Sequence, residues 1–373
     1  MIYFDNAATS FPKPKGVAKE LARAIRLYSG NPGRSGHRLS LLAAEKIYET
    51  RLFLSELLDF QRPENLIFTM NATYALNIAI KAYVRQGMHV LVGNREHNAV
   101  LRPVHALSER GVITYDVFNA ELEPNTATKS LLRPETGLLI LNHVSNVDGF
   151  TADVAAYAAF CRNHGIKCII DASQSAGHRK LSFRKIGADV VCAPLHKGLL
   201  GVQGVGIACF SEKDGISTLI EGGSGSSSFL QNMPSLLPDR LEAGTLPTPA
   251  IGASLVGARF VETVGCEEIH ARESELLARA TDILSDFPDL RVYAPKDLRG
   301  GVLSFAHEGL SSEELARRLS MHSVCVRGGF HCAPLAHRTL GTDAHGTVRI
   351  SFSYLNKPSE IDRFYKILKE ILR

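Results

Sequence analysis

Short β-branched apolar runs alternate along this chain with longer stretches whose apolar residues recur every three or four positions. The runs predict strands over residues 66–70, 89–93, 112–117, 137–142, 167–171, 189–192 and 205–210. The helical spacing predicts helices between them, among others over 72–85 and 152–163, and a further one over 39–58. Strands alternating with helices predict an α/β protein with a mostly parallel sheet. After about residue 260 the rhythm changes. A long amphipathic helix over 267–287 precedes strands near 290–294, 301–306 and 347–354, interleaved with helices over 312–321 and 359–372. This predicts a second, smaller α+β domain. The stretch "GGSGSSS", residues 222–228, reads as a surface loop of the larger domain.

Composition narrows the class. The chain has 373 residues, long enough for one large domain or two, with 45% hydrophobic and 21% charged residues. A net charge of +4 with scattered basic residues gives no footprint for nucleic acid. No apolar run approaches the roughly 20 residues that span a bilayer, and "MIYFDNAATS" lacks the pattern of a signal peptide. Seven cysteines, an odd number without framework spacing, predict reduced thiols and a cytoplasmic protein.

Four stretches carry candidate chemistry. In "CIIDASQSAG", Asp171 falls at the carboxyl end of a buried strand, where open α/β sheets bind ligands; a capping or turn aspartate fits the stretch equally. In "CAPLHKGLLGVQGVG", Lys197 follows another apolar strand one crossover later. A partly desolvated lysine there has a lowered pKa and can form a Schiff base, the alternative being a surface loop lysine. Together the pair suits pyridoxal 5'-phosphate, the lysine holding the aldehyde and the aspartate keeping the pyridine nitrogen protonated. In "FTMNATYALNIAI", the amides around Ala72 and Thr73 face an anion at a helix amino terminus. In "VGNREHNAV", His97 stands just past a strand end, where an imidazole can stack on a flat cofactor or be merely structural. The glycines Gly201, Gly204 and Gly206 do not form a dinucleotide fingerprint. The tail holds His322, Cys325, His331, Cys332, His337 and His345, but no CxxC pair or usual zinc spacing, so no metal site is expected.

"REHNAV", "NHVSNVDG", "IIDASQSAGH", "HKGLLG", "RLEAGT" and "RGGFHCAP" occur in one order, within a resemblance running from "YFDNAATSFPKP" to "RISFSYLNKPSEIDRF". The chain thereby resembles the class V aminotransferase-fold enzymes of the cysteine desulfurase group, close to the group II desulfurases and selenocysteine lyases. The resemblance implies a pyridoxal 5'-phosphate-dependent transferase of fold type I, with a large domain over 14–258 around a mostly parallel seven-stranded sheet. Residues 1–13 and 259–373 then form the small domain. It implies that Lys197 bonds the cofactor aldehyde, Asp171 partners the pyridine nitrogen, Gln174 bonds the ring hydroxyl and His97 stacks. Asn146 then lies near the ring oxygen and the substrate carboxylate, and Ala72, Thr73 and His196 contact phosphate. Thr245 reaches the phosphate of the other subunit, which implies a homodimer. Arg349 clamps the substrate carboxylate. In "TVRISFSY" the apolar positions alternate with Arg349, Ser351 and Ser353, which points the arginine away from the packed face, free to fork onto a carboxylate.

Two departures from the family pattern stand out. Pro194 replaces a phosphate-binding serine and offers no donor, and Leu195 replaces a glycine. The implied reaction removes sulfur from L-cysteine, giving L-alanine. Lys197 moves the α-proton and the Cys332 thiolate takes the sulfur as a persulfide, for a sulfur-acceptor protein to collect. Arg327 holds that thiolate and borders the substrate. Gly328 and Gly329 suggest a bend, and Ala333–Pro334 a turn, which leaves Cys332 on a short exposed loop. Selenocysteine, cysteine sulfinate or another reaction on the same fold are the alternatives; a non-catalytic carrier using the His/Cys-rich tail is the alternative from a different class.

Overall fold

The computed structural model describes residues 1–33, 35–212 and 215–372. Its strands, in chain order, are β1 (Ile2–Tyr3), β2 (Leu66–Thr69), β3 (Met88–Gly93), β4 (Ile113–Phe118), β5 (Thr136–Asn142), β6 (Lys167–Asp171) and β7 (Val190–Pro194). There follow β8 (Gly206–Phe210), β9 (Leu290–Tyr293), β10 (Val302–His307), β11 (Val324–Cys325), β12 (Arg327–Gly329) and β13 (Thr347–Ser351). All seven predicted strands of the large sheet are present, in the order β2-β8-β7-β6-β5-β3-β4. The sheet is parallel except for β8, which runs antiparallel to both β2 and β7.

Apolar side chains on both faces explain why the central strands read as continuous apolar runs. One core packs Leu139, Leu141, Cys168, Ile170 and Val191 against Tyr157 and Phe160; the other packs Val90, Ile140, Ile169 and Cys192 against the helix Ala72–Tyr83. Cys161, Cys168, Cys192 and Cys209 are buried in these layers as small apolar groups. A separate core joins Ile2 and Phe4 to residues of the last hundred positions, among them Leu276, Leu303, Val348 and Phe364. It covers the sheet β12-β13-β10-β9.

Three elements differ from the sequence reading. Gly328 and Gly329 lie in β12, paired with Val348 and Thr347 of β13, and of the two only Gly329, at φ +101°, departs from extended backbone before the turn at His331 and Cys332. Ala333–Pro334 does not lead into a turn: Pro334 opens the helix Pro334–Leu340, where its missing N–H costs nothing. The helix Thr248–Val264, absent from the reading, packs beside the helices Lys15–Leu27 and Arg38–Leu57.

Candidate active site

Parallel strands deliver their carboxyl ends to one rim of the sheet, and there β6 ends on Asp171. Lys197 stands three residues beyond Pro194, the last residue of the neighbouring β7. The two segments meet through glycine. A Cβ at Gly177 would lie 2.4 Å from the backbone carbon of Gly198, and one at Gly198 would lie 2.4 Å from the carbonyl of Ala176. Gly177 also has φ +85°, a conformation L side chains resist. "ASQSAG" and "HKG" are thus fitted to each other at backbone contact.

Between them opens a cavity of about 230 Å³ lined by Ala72, Thr73, His97, Asn146, Asp171, Gln174, His196, Lys197, Arg327 and Arg349, with Ala7, Asn142 and Pro194 also in its wall. Every residue expected at the cofactor and substrate lines it except Thr245 and Cys332. A wider groove of about 490 Å³ lies at the amino ends of the strands, but Lys167 in it is tied to Asp189 and Glu212 at 2.8 Å each. Its Arg62 and Arg162 are spent on the carbonyls of Ser211 and Gly187. Ligand chemistry belongs at the carboxyl ends.

Electrostatics in the cavity are set by burial. The Asp171 carboxylate accepts from Ser173 N at 2.9 Å, and desolvation pushes its pKa up, against the hydrogen bonds of Ser173 and the charge of Lys197. Desolvation lowers the Lys197 amine to about 8; Arg349 and Arg327 add to this and Asp171 opposes it. His97 is lowered to about 4 by burial and then by Lys197, Arg327 and Arg349, so it is neutral at pH 7. Its Nδ1 accepts from Ala99 N at 3.0 Å, which places the ring proton on Nε2. His196 is likewise held at about 4 by burial and by Lys197. Four cavity-lining residues carry a buried polar atom without a partner: Asn142 Oδ1, Asn146 Oδ1, His196 Nδ1 and Arg349 Nε. Native interiors rarely leave such groups orphaned. The cavity is built for a polar ligand.

Arg349 corrects the sequence reading in part. Its side chain does leave the packed face of β13, but it is only 1% exposed and is not free. Nη2 donates to Asp5 Oδ1 at 2.6 Å and Nη1 to the carbonyl of Asn146 at 3.2 Å. The amino-terminal segment, whose Asp5 carries no assigned role in the sequence reading, therefore orients it. Cys332 is half-buried rather than exposed. Arg327, which lines the cavity, donates through Nη2 to its Sγ at 3.3 Å. The backbone around the thiol is pinned: Asn98 N donates to the Cys332 carbonyl at 2.7 Å, and Asn146 Nδ2 to the His331 carbonyl at 2.8 Å. His331 and His337 are buried against Thr347 and Thr342, at 2.9 and 2.7 Å. Gln174 Nε2 donates to the Ala7 carbonyl at 2.9 Å. Thr245 is exposed and lies outside its own chain's cavity.

The fold and the cavity define an α/β protein that sets a lysine and a buried carboxylate on neighbouring strand ends. The chain belongs to the Aminotransferase class-V family, whose model matches residues 2–364. It is 32% identical over 389 residues to a protein of Xylella fastidiosa named "Probable cysteine desulfurase", covering all of this chain and 91% of that one. A Pyrococcus abyssi protein of the same name is 29% identical over 387 residues, covering 100% of this chain and 94% of the relative. Among solved structures, the cysteine desulfurase from Thermococcus onnurineus superposes with a TM-score of 0.90 at 28% identity, over 99% of this chain and 94% of that one. No helix among the described residues is long and apolar enough to cross a membrane.

Proposed function

We propose that this protein is a pyridoxal 5'-phosphate-dependent cysteine desulfurase that converts L-cysteine to L-alanine and takes the sulfur onto Cys332. One observation carries the reading: Arg327 lines the cavity that holds Lys197 and Asp171 and donates to Cys332 Sγ at 3.3 Å, which links the thiol to the cavity of the lysine and the carboxylate. The orphaned polar atoms of that cavity fit a cofactor bearing a phosphate, a ring oxygen and a ring nitrogen. When bound, the cofactor supplies an aldehyde and an electron-withdrawing ring.

The rest is the work of this chain's residues. Lys197, with a pKa near 8, holds a substantial neutral fraction at neutral pH and takes the α-proton of the substrate. Asp171 would accept a hydrogen bond from the protonated ring nitrogen, whose charge would offset the desolvation that raises its pKa. Neutral His97 would stack on the ring and Gln174 would bond the ring hydroxyl. Ala72, Thr73 and His196 hold the phosphate at the start of the helix Ala72–Tyr83, the position Pro194 leaves without a donor. Arg349, braced by Asp5, and Asn146 hold the substrate carboxylate. Cys332 thiolate, stabilised by Arg327, attacks the substrate sulfur; the carbon–sulfur bond breaks with its electron pair left on carbon, and that carbon is protonated to alanine.

A homodimer is part of the reading. Phe229 is fully exposed, and Ile220, Leu230 and Leu236 near it are exposed too, as are Leu39, Leu41 and Tyr48 on the helix Arg38–Leu57. Exposed apolar side chains of this kind suit contact with a second copy, to whose phosphate site Thr245 would then reach. The separate core of Ile2, Phe4 and the carboxyl-terminal residues supports a domain division into 14–258 and 1–13 with 259–373. We place the enzyme in the cytoplasm, handing sulfur to an acceptor protein. The test is alanine release from cysteine, selenocysteine and cysteine sulfinate, by the wild type and by Cys332→Ser. The variant should bind cofactor normally and lose alanine formation from cysteine at least a hundredfold; an unchanged rate would remove the thiol from the reaction.

A further inference from the structure

Strand β2 is the edge of the large sheet, with β8 on one side and, among the described residues, no strand on the other. Residues two apart in a strand turn their backbone groups to the same edge, so Leu66 and Phe68 present groups that a missing neighbour would pair. Two side chains take that neighbour's place. Glu242 Oε1 accepts from Phe68 N at 2.6 Å, and Arg51 Nη1 donates to the carbonyl of Leu66. The two side chains are themselves joined as a bidentate pair, Nη1 to Oε1 and Nη2 to Oε2, both at 2.9 Å. Arg51 is 5% exposed and Glu242 9%, and the guanidinium lies 4.8 Å from the centre of the Phe68 ring. Acceptor and donor alternate as a strand would supply them. The pair is an artificial strand neighbour.

What β2 leads into gives this pair a role. Two residues after Thr69 comes Asn71, whose side chain accepts from Tyr74 N and caps the helix Ala72–Tyr83. Ala72 and Thr73, in its first turn, line the cavity. On its inner side the turn is fixed by Gly206 of β8, where a Cβ would lie 2.5 Å from the backbone carbon of Asn71. On the outer side the ion pair holds the strand through Phe68 N and the Leu66 carbonyl. Glu242 also anchors the loop that carries Thr245, three residues on. We propose that Arg51 and Glu242 are positioning residues for the anion-binding end of the site: they replace the missing strand and set where β2 delivers the Asn71–Thr73 turn.

The inference rests on the reading that a phosphate-bearing cofactor occupies the cavity, and the test separates the two. Full-length protein freed of ligand is titrated with pyridoxal 5'-phosphate and with pyridoxal, which has the same ring and aldehyde and no phosphate. In the wild type the ratio of the two dissociation constants measures what the phosphate contributes. Glu242→Gln keeps an oxygen for Phe68 N but loses the charge facing Arg51. It should lower that ratio at least tenfold, with the affinity for pyridoxal changed less than threefold. A lone buried arginine risks the fold, so the double variant Arg51→Met with Glu242→Leu, which leaves no unpaired charge, is measured beside it and should show the same loss. Leu54→Ala, which opens a void one turn along the same helix, controls for destabilisation and should lower both affinities alike. An unchanged ratio in the double variant, or an equal fall in Leu54→Ala, overturns the positioning role. A wild type that binds pyridoxal as tightly as its phosphate overturns the functional reading instead.

Discussion

Replacing Lys197 by methionine should stabilise the ligand-free protein while abolishing its chemistry. The amine titrates at about 8 in the folded chain and near 10.5 when unfolded, chiefly because burial penalises the ammonium. A gap of that width is worth about 3 kcal/mol at about 1.4 kcal/mol per pH unit. Two effects reduce it. The side chain is only half-buried, so water screens part of the penalty, and Asp171 loses the cation that helps keep it ionised. A net gain of about 1–2 kcal/mol remains at pH 7. The pH dependence is the sharper signature. Between pH 8 and 10.5 the unfolded wild type binds more protons than the folded form, so its stability rises with pH. The advantage of Lys197→Met is therefore full below pH 8 and shrinks as pH climbs toward 10.5. Urea unfolding of both proteins at pH 7 and pH 9.5 reads this directly. A variant less stable at pH 7, or an advantage that does not change with pH, would refute the account of a desolvated amine.

Arg349→Lys should raise the Michaelis constant for cysteine at least tenfold with a smaller effect on kcat, because an ammonium cannot hold Asp5 and the Asn146 carbonyl while forking onto a carboxylate; steady-state kinetics with an unchanged constant would exclude the clamp. Asp171→Asn should keep cofactor bound yet lower turnover about a hundredfold or more, since a neutral amide does not hold a protonated ring nitrogen; single-turnover alanine formation measures it, and near-normal rates would make the carboxylate structural. Acid should unfold the ligand-free protein steeply. His97, His143 and His196 are held at about 4 and His331 at about 2, all chiefly by burial, so the unfolded chain binds more protons than the folded one from pH 6.5 downward and stability falls across that window. Roughly three to four protons taken up on unfolding at pH 5 by these histidines amount to about 5 kcal/mol per pH unit, and urea midpoints unchanged between pH 6.5 and 5 would contradict it.

The strand ends were legible because their chemistry is local. An apolar run closing on Asp171, and another closing on "PLHKG", each state a buried strand and a polar group at its mouth within ten residues. Side chains paired across hundreds of positions leave no such trace. Asp5 meets Arg349 over 344 residues and Glu242 meets Arg51 over 191, and neither partner sits in a periodic pattern that announces the other. Alternation in "TVRISFSY" correctly turned Arg349 off the packed face, but alternation gives a direction and says nothing of what waits there. The antiparallel course of β8 was equally invisible, because a strand buried on both faces has the same composition whichever way it runs. The helix Thr248–Val264 escaped for a related reason: Gly252 and Gly257, poor helix formers, allow it to pack at contact distance on Tyr28 and on the backbone at Leu200.

The thiol's surroundings bear on how sulfur leaves. His331 and Cys332 both have left-handed backbones, φ +50° and +58°, where side chains carry a cost of roughly 1–2 kcal/mol per residue. Such a conformation persists only where its neighbours enforce it. Here Asn98 and Asn146 hold the two carbonyls, the buried His331 ring bonds Thr347, and four residues separate Arg327–Gly329 in β12 from the helix that opens at Pro334. Swinging the thiol outward would break these contacts together, on a segment too short to reach beyond the rim. If Cys332 is the proposed nucleophile, a thiol held this way is well placed against a substrate in the cavity and badly placed as a carrier arm. On the proposed reading, delivery would then be made by the acceptor, bringing its own thiol to within bonding distance of Cys332, and the half-buried rim around Arg327 would be the surface against which that approach has to fit.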